Sequence, residues 1–166
     1  LFKGETWLQM MEHTRVHQSA LHLIGLLSDG NVHAHIDHLK ALIQHAVNDG
    51  VKRIRCHLLT DGRDVAERSA LDYLADLRLF IKSLSNRADI KIASGGGRMT
   101  TTMDRYEADW DMVKRGWETH VLGEGPFFSS AEEAIQAGYD NHQVNDQYIS
   151  PFVIAENGRP VGQIED

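Results

Sequence analysis

An α/β fold is the class this sequence predicts: three αβα layers around a mainly parallel sheet, with a C-terminal β-hairpin. Three observations carry it. Apolar runs at Leu21 to Leu27, Arg53 to Leu59 and Ile90 to Ala93 have the length and content of strands. A helix-length segment separates each pair, and strands alternating with helical patterns imply βαβ units in a parallel sheet. Asn157-Gly158 stands between two further apolar runs, Phe152 to Ala155 and Val161 to Ile164, which is a hairpin signal.

In chain order, residues 1–18 read as an N-terminal connecting segment with two helical turns at most, anchored by Trp7, Leu8, Met10 and Met11. Residues 19–166 read as one domain. Leu21 to Leu27 is apolar enough for a strand buried on both faces. From His33 to Asn48, the residues Ile36, Leu39, Leu42, Ile43, Ala46 and Val47 keep the 3.6-residue period of an amphipathic helix, and Asp49-Gly50 is a plausible stop. Arg68 to Leu84 repeats the pattern with Leu71, Leu74, Leu77 and Ile81. Residues 103–119 form a further helical candidate whose Met103, Trp110 and Trp117 read as a core stripe. Ser129-Ser130 ahead of Glu132-Glu133 offers a capping box for a helix running to about Tyr139.

Composition narrows the function. The 166 residues are 42% hydrophobic and 25% charged, ordinary for one globular domain with a full core. A net charge of −7 argues against nucleic acid, whose readers present basic surfaces, but not against a small anion held by a few arginines. No apolar run approaches the ~20 residues of a membrane span, and the N-terminal segment lacks signal-peptide layout. The single cysteine, Cys56, excludes an internal disulfide and lies mid-strand as inert core. A cytoplasmic protein is the expectation.

Three segments follow the strands directly: Ser28 to His33, Thr60 to Asp64, and Ser94 to Arg98. In a parallel sheet the C-terminal strand ends share one edge, where ligands bind. His33, Arg63, Asp64 and Arg98 are therefore expected to meet. Asp61-Gly62 makes a tight turn that leaves Arg63 beside Asp64, so a guanidinium can hold an anion while a carboxylate moves a proton. The bland alternative is a solvated charged turn. Gly95-Gly96-Gly97 would let a ligand lie against main-chain N–H groups, although neither the dinucleotide fingerprint nor a P-loop is completed, and a flexible loop is the competing reading. Arg105 could add a second positive charge. His33, His35, His38 and His45 crowd one helical stretch, but no third ligand is evident for a metal. From the residues alone, the reading stops at an α/β domain binding a small anion, with acid–base chemistry in reach.

Leu21 to Gly30 through His33, together with Thr60-Asp61-Gly62-Arg63-Asp64, closely resembles the cofactor-independent phosphoglycerate mutases. Ser94 to Met99 followed by Met103 to Tyr106 resembles one branch of that family, and Asn145 to Tyr148 and Pro151 to Ile154 continue the match. The resemblance implies an inserted substrate-binding (transferase) domain, covalently linked to a phosphatase-like domain. That second domain holds a transiently phosphorylated serine and two divalent metal ions, usually manganese, with magnesium or cobalt as alternatives. The activity implied is interconversion of 3-phosphoglycerate and 2-phosphoglycerate in glycolysis and gluconeogenesis, without 2,3-bisphosphoglycerate, in a monomer. Asp64 takes the part of general acid/base. Arg63, Arg98 and Arg105 bind the substrate's anionic groups, and His33 hydrogen-bonds it. No metal ligand falls in this chain.

Three departures stand out. Asn31 replaces a usual Gly, Tyr106 follows Arg105 where many members have Asp, and the serine and metal clusters are absent, as are the further arginines expected beyond Asp166. The isolated chain is therefore expected to be inactive. The rival readings are a non-catalytic binding or sensor module for a carboxylate or phosphate, and a regulatory metal-binding domain built on the histidines.

Overall fold

The computed structural model describes residues 1–101, 109–141 and 145–164. A six-stranded sheet forms the middle layer. Strands β1 (Leu21–Leu27), β2 (Arg53–Thr60) and β3 (Asp89–Gly97) run parallel in that order. Beyond β3 the sheet continues through β5 (Phe152–Glu156), antiparallel to β3, to β4 (Phe127–Phe128), while β6 (Arg159–Pro160) pairs back on β5. The β5–β6 connection is the two-residue Asn157-Gly158 loop, with φ of 52° and 74°. Both central residues in the left-handed region match the twist of a hairpin.

Helices α2 (Ile36–Asn48), α3 (Ala70–Ser83) and α5 (Ala131–Asp140) pack side by side on one face. The pleat decides what they cover. Ile54, Cys56 and Leu58 alternate toward these helices and join Ile43, Leu74 and Leu77 in the core. Arg55 and His57 point to the opposite face, where α4 (Trp110–Trp117) and a π-helix (Glu118–Leu122) form the third layer, the π-helix lying over β3 and β5. The three-layer αβα reading and the hairpin are both present.

The capping chemistry is also present. The Ser130 side chain accepts from the Glu133 backbone N–H, and Glu133 accepts in return from the N–H and hydroxyl of Ser129. Asp146 does equivalent work at α3 from far along the chain. Its carboxylate accepts from the Ser69 and Ala70 N–H groups at 2.8 Å each and from the Tyr139 hydroxyl.

Several expectations needed correction. β1 is an edge strand with Ile24 57% exposed, so it is not buried on both faces. The N-terminal helix α1 (Glu5–Val16) has three turns rather than two. Trp7 and Met11, one helical turn apart, enter the core and Trp7 Nε1 donates to Asp49, whereas Leu8 and Met10 stay exposed. The tryptophan stripe fails as core. Trp110 is 64% and Trp117 60% exposed, and α4 instead turns Met112 and Gly116 inward. Met103 lies outside the described residues.

Candidate functional site

Because β1, β2 and β3 are parallel, the segments after Leu27, Thr60 and Gly97 emerge together at one edge. Asp61 is the hub there, 2% exposed. One carboxylate oxygen accepts from the Ser28 hydroxyl at 2.6 Å. The other accepts from Arg98 at 2.6 Å and from the backbone N–H groups of Arg63 and Asp64 at 3.3 Å. Burial pushes this carboxyl's pKa up, but the hydrogen bonds from Ser28, Arg98 and the two backbone groups outweigh it and hold the pKa below the usual value. Asp61 therefore stays ionised and fixes the turn that presents Asp64.

Asp64 accepts from the same Arg98 nitrogen at 2.8 Å, and its side chain keeps 14% exposure. Its carboxylate thus sits at the mouth of the site, with Arg98 beneath it. His33 Nε2 lies 3.9 Å from Asp64 Oδ2 and is itself half exposed. Gly30 makes this approach possible. A Cβ there would come within 2.7 Å of the Asp64 carbonyl oxygen. The following Asn31 adopts φ of 56°, the left-handed conformation that Asn tolerates.

Arg98 is 2% exposed, and its Nε is buried without a hydrogen-bond partner among the described residues. Burial works against its charge, but the hydrogen bonds to Asp64 and Asp61 raise its pKa and keep the guanidinium protonated. An unpaired charged donor beside a partly exposed carboxylate is an anion-binding feature.

The structure therefore brings Asp64, Arg98 and His33 together. Arg63 contributes its backbone N–H to Asp61, but its side chain is exposed and makes no hydrogen bond or ion pair among the described residues. Arg105 lies outside the described residues. Sequence reasoning missed Asp61 as more than a turn residue, and Ser28 with it. The signal was available: Asp61 and Ser28 are the first polar residues after their strands, at the register where neighbouring strand ends touch.

The glycine-rich segment does something other than expected. Gly95, Gly96 and Gly97 are buried strand residues of β3 rather than a ligand loop. Their missing side chains make room for the protein's own backbone and rings. A Cβ on Gly95 would meet the Phe152 ring at 2.4 Å, and one on Gly97 the Gln147 carbonyl oxygen at 2.1 Å.

The histidines of α2 also resolve individually. His35 caps the helix by accepting from the Asp37 N–H, and His45 stacks on Phe2 at 3.6 Å. Among the described residues no three His, Cys, Asp or Glu side chains gather as metal ligands. Cys56 is buried, which pushes its thiol up to about 12 despite Arg55 nearby. A cleft of about 800 Å³ lies between α3 and α5 over Ile90, Ile92 and Ile154, at the far end of the strands from Asp64. It holds none of this chemistry.

Comparison with known proteins agrees with the fold. The family model "BPG-independent PGAM N-terminus" matches residues 1–166. The chain is 56% identical over its whole length to a probable 2,3-bisphosphoglycerate-independent phosphoglycerate mutase of Leptospira interrogans, covering 31% of that protein. It is 52% identical to the corresponding enzyme of Ricinus communis over 90% of the chain, covering 27% of that enzyme. Among solved structures, phosphoglycerate mutase of Leishmania mexicana, crystallised at low cobalt concentration, superposes over 99% of this chain with a TM-score of 0.95 at 46% identity, covering 31% of its length. The chain thus spans about a third of the length of the relatives it matches.

Proposed function

The chain belongs to the BPG-independent PGAM N-terminus family, and from that premise we propose that it is the substrate-binding segment of an enzyme interconverting 3-phosphoglycerate and 2-phosphoglycerate. On this reading residues 19–166 form the substrate-binding domain, 1–18 lead into it, and the phosphorylatable serine belongs to polypeptide outside this chain. The enzyme works in the cytoplasm, in glycolysis and gluconeogenesis, without 2,3-bisphosphoglycerate.

One observation carries the proposal: Asp64, its side chain 14% exposed, stands above a buried arginine that has an unused donor among the described residues. Phosphoryl transfer through a phosphoserine requires the intermediate glycerate to turn without leaving. Arg98 can hold its carboxylate, with Arg63 and Arg105 as further cations. Asp64 then takes the proton from whichever hydroxyl faces the phosphoserine and returns it after transfer. His33 hydrogen-bonds the glycerate from the β1 side. Entry of an anion competes with Asp64 for Arg98, so binding itself frees the carboxylate to act.

The resemblance also implies two divalent metal ions. The resemblance assigns their ligands to the remainder of the polypeptide, and no step above runs through them.

The test is conversion of 3-phosphoglycerate by the polypeptide that carries this chain, with manganese and no bisphosphoglycerate, wild type against Asp64→Asn. Turnover in the wild type and a loss of at least about 100-fold in the variant is expected for removal of a general acid/base. Full turnover in the variant would move the base elsewhere. No turnover in either, with the metal centre loaded, would favour a non-catalytic carboxylate or phosphate binder.

A further inference from the structure

A buried polar chain crosses the sheet on the face away from α2 and α3. His22 Nδ1 lies 2.9 Å from His57 Nε2, His57 Nδ1 lies 2.7 Å from Ser94 Oγ, and Ser94 Oγ lies 2.7 Å from His120 Nδ1. His57, Ser94 and His120 are at most 3% exposed. They come from β2, β3 and the π-helix, and the reaction proposed above uses none of them.

Two irregularities meet at this chain. The first is an offset in the β2–β3 ladder. Cys56 pairs with Ile92, but His57 pairs with Ser94, so Ala93 has no partner on β2. Such bulges are rare between parallel strands. The second is the π-helix itself, a rare element that often marks a functional position. It directs Thr119 and His120 inward.

The offset has a consequence at the site. It sets Thr60 opposite Gly97, and the Arg98 N–H donates to the Thr60 carbonyl at 3.0 Å. Without it, Thr60 would face Gly96. Arg98 would then move one residue along the strand, about 3.3 Å, and its side chain would turn to the other face of the sheet. It could no longer meet both Asp61 and Asp64.

We propose that His57, Ser94 and His120 are positioning residues that lock this offset and so set Arg98 against Asp61 and Asp64. Only in the offset register does Ser94 share a face with His57, with its hydroxyl between two imidazoles. In the regular register Ser94 would turn away, leaving both rings buried without this partner. The extra residue has its own seat: a Cβ on Gly162 would approach the Ala93 Cβ to 2.4 Å, so glycine there leaves room for the bulge.

The chain also has one consistent proton arrangement. His120 Nε2 is buried without a partner among the described residues, and an orphaned N–H is rarer than an orphaned acceptor. His120 therefore carries its proton on Nδ1 and donates to Ser94. The Ser94 hydroxyl donates to His57 Nδ1, and His57 Nε2–H donates to His22. All three rings are neutral and point one way.

The inference depends on the mutase reading only for what Arg98 binds, so its test needs no turnover. Hydrogen exchange at single amides is measured in the polypeptide that carries this chain, for wild type, His120→Leu and His120→Asn. Asn presents an amide near the position of Nδ1 and can still donate to Ser94. In His120→Leu, exchange at the Gly97 and Arg98 amides should rise at least tenfold, while Arg55 and Cys56, before the offset, keep wild-type rates. His120→Asn should restore protection. Wild-type rates at Gly97 and Arg98 in the leucine variant would overturn the proposal, as would an equal rise along all strands in both variants. Should the leucine variant not fold, the histidine ¹⁵N shifts of the wild type decide. Proton-free Nδ1 on His57 and protonated Nδ1 on His120 support the lock, and the reverse overturns it. Absence of mutase turnover in the wild type would sink the activity reading and leave the exchange pattern untouched.

Discussion

Acidification from pH 7.5 to 5.0 should destabilise this fold more steeply than carboxylate titration explains, and the buried imidazoles set the size of the excess. Burial, with the neighbouring His120 and His22 rings, lowers His57 from 6.5 to about 3. Burial alone lowers His120 to about 4. His22 is lowered as well, by burial and by Arg55. Among the described residues, no carboxylate forms an ion pair with His22, His57 or His120, and the charged groups of the surrounding elements are paired with one another. On β2, Arg55 is held by Asp89, and on β3, Lys91 is held by Glu156. On the π-helix, Glu118 lies beside Lys114. The sign follows from linkage: a base whose folded pKa is depressed takes up its proton first in the unfolded chain. Stability is therefore full above pH 6.5 and falls as pH drops toward 4 and 3.

At pH 5.0 the unfolded imidazole is almost fully protonated and the folded one almost fully neutral, which amounts to about 2 kcal/mol for each of His57 and His120, or about 4 kcal/mol together. That is a large share of the stability of a typical domain. The assay is urea unfolding at both pH values, for wild type and for a His57→Gln/His120→Asn double variant that cannot titrate there. The wild type should lose about 4 kcal/mol more than the variant over this interval. Equal losses would mean that the imidazoles are solvated or already charged in the folded protein, and would refute the argument.

Two further outcomes are expected. Asp61→Asn leaves the buried Arg98 charge without its inner partner, which costs about 3 kcal/mol and should lower Tm by about 6–12 °C; a Tm within about 2 °C of wild type would remove Asp61 from its place as hub. Trp110→Ser and Trp117→Ser change exposed side chains and should each shift stability by less than about 0.5 kcal/mol in urea unfolding, whereas core tryptophans would cost about 3–5 kcal/mol.

How much was legible depended on the range of the interaction that decides each feature. The hairpin at Asn157-Gly158 and the cap at Ser130 are local, made by residues at most four apart, so their chemistry is written in adjacent letters. The meeting of His33, Asp64 and Arg98 is not local, yet it was predictable. Parallel strands place every C-terminal end on one edge, whatever their separation in sequence. The mid-strand position of Cys56 also pointed to a buried core thiol, which it is.

The sequence by itself determined the three αβα layers, the parallel strands and therefore the edge on which the acidic and basic groups gather. Periodicity reports which residues want burial, and the handedness of βαβ units does the rest. Tertiary structure alone decided which face each element actually covers. The tryptophans of α4 remain exposed because that helix turns Met112 and Gly116 inward, and Ile24 is uncovered because β1 lies at the sheet edge. The three glycines before Arg98 look like a ligand loop until Phe152 and Gln147, fifty or more residues later, fill the space beside them. The His57–Ser94–His120 chain joins residues 37 and 26 apart. Its members align only through a one-residue offset in the ladder, and an offset is a property of two paired strands that neither strand's sequence contains.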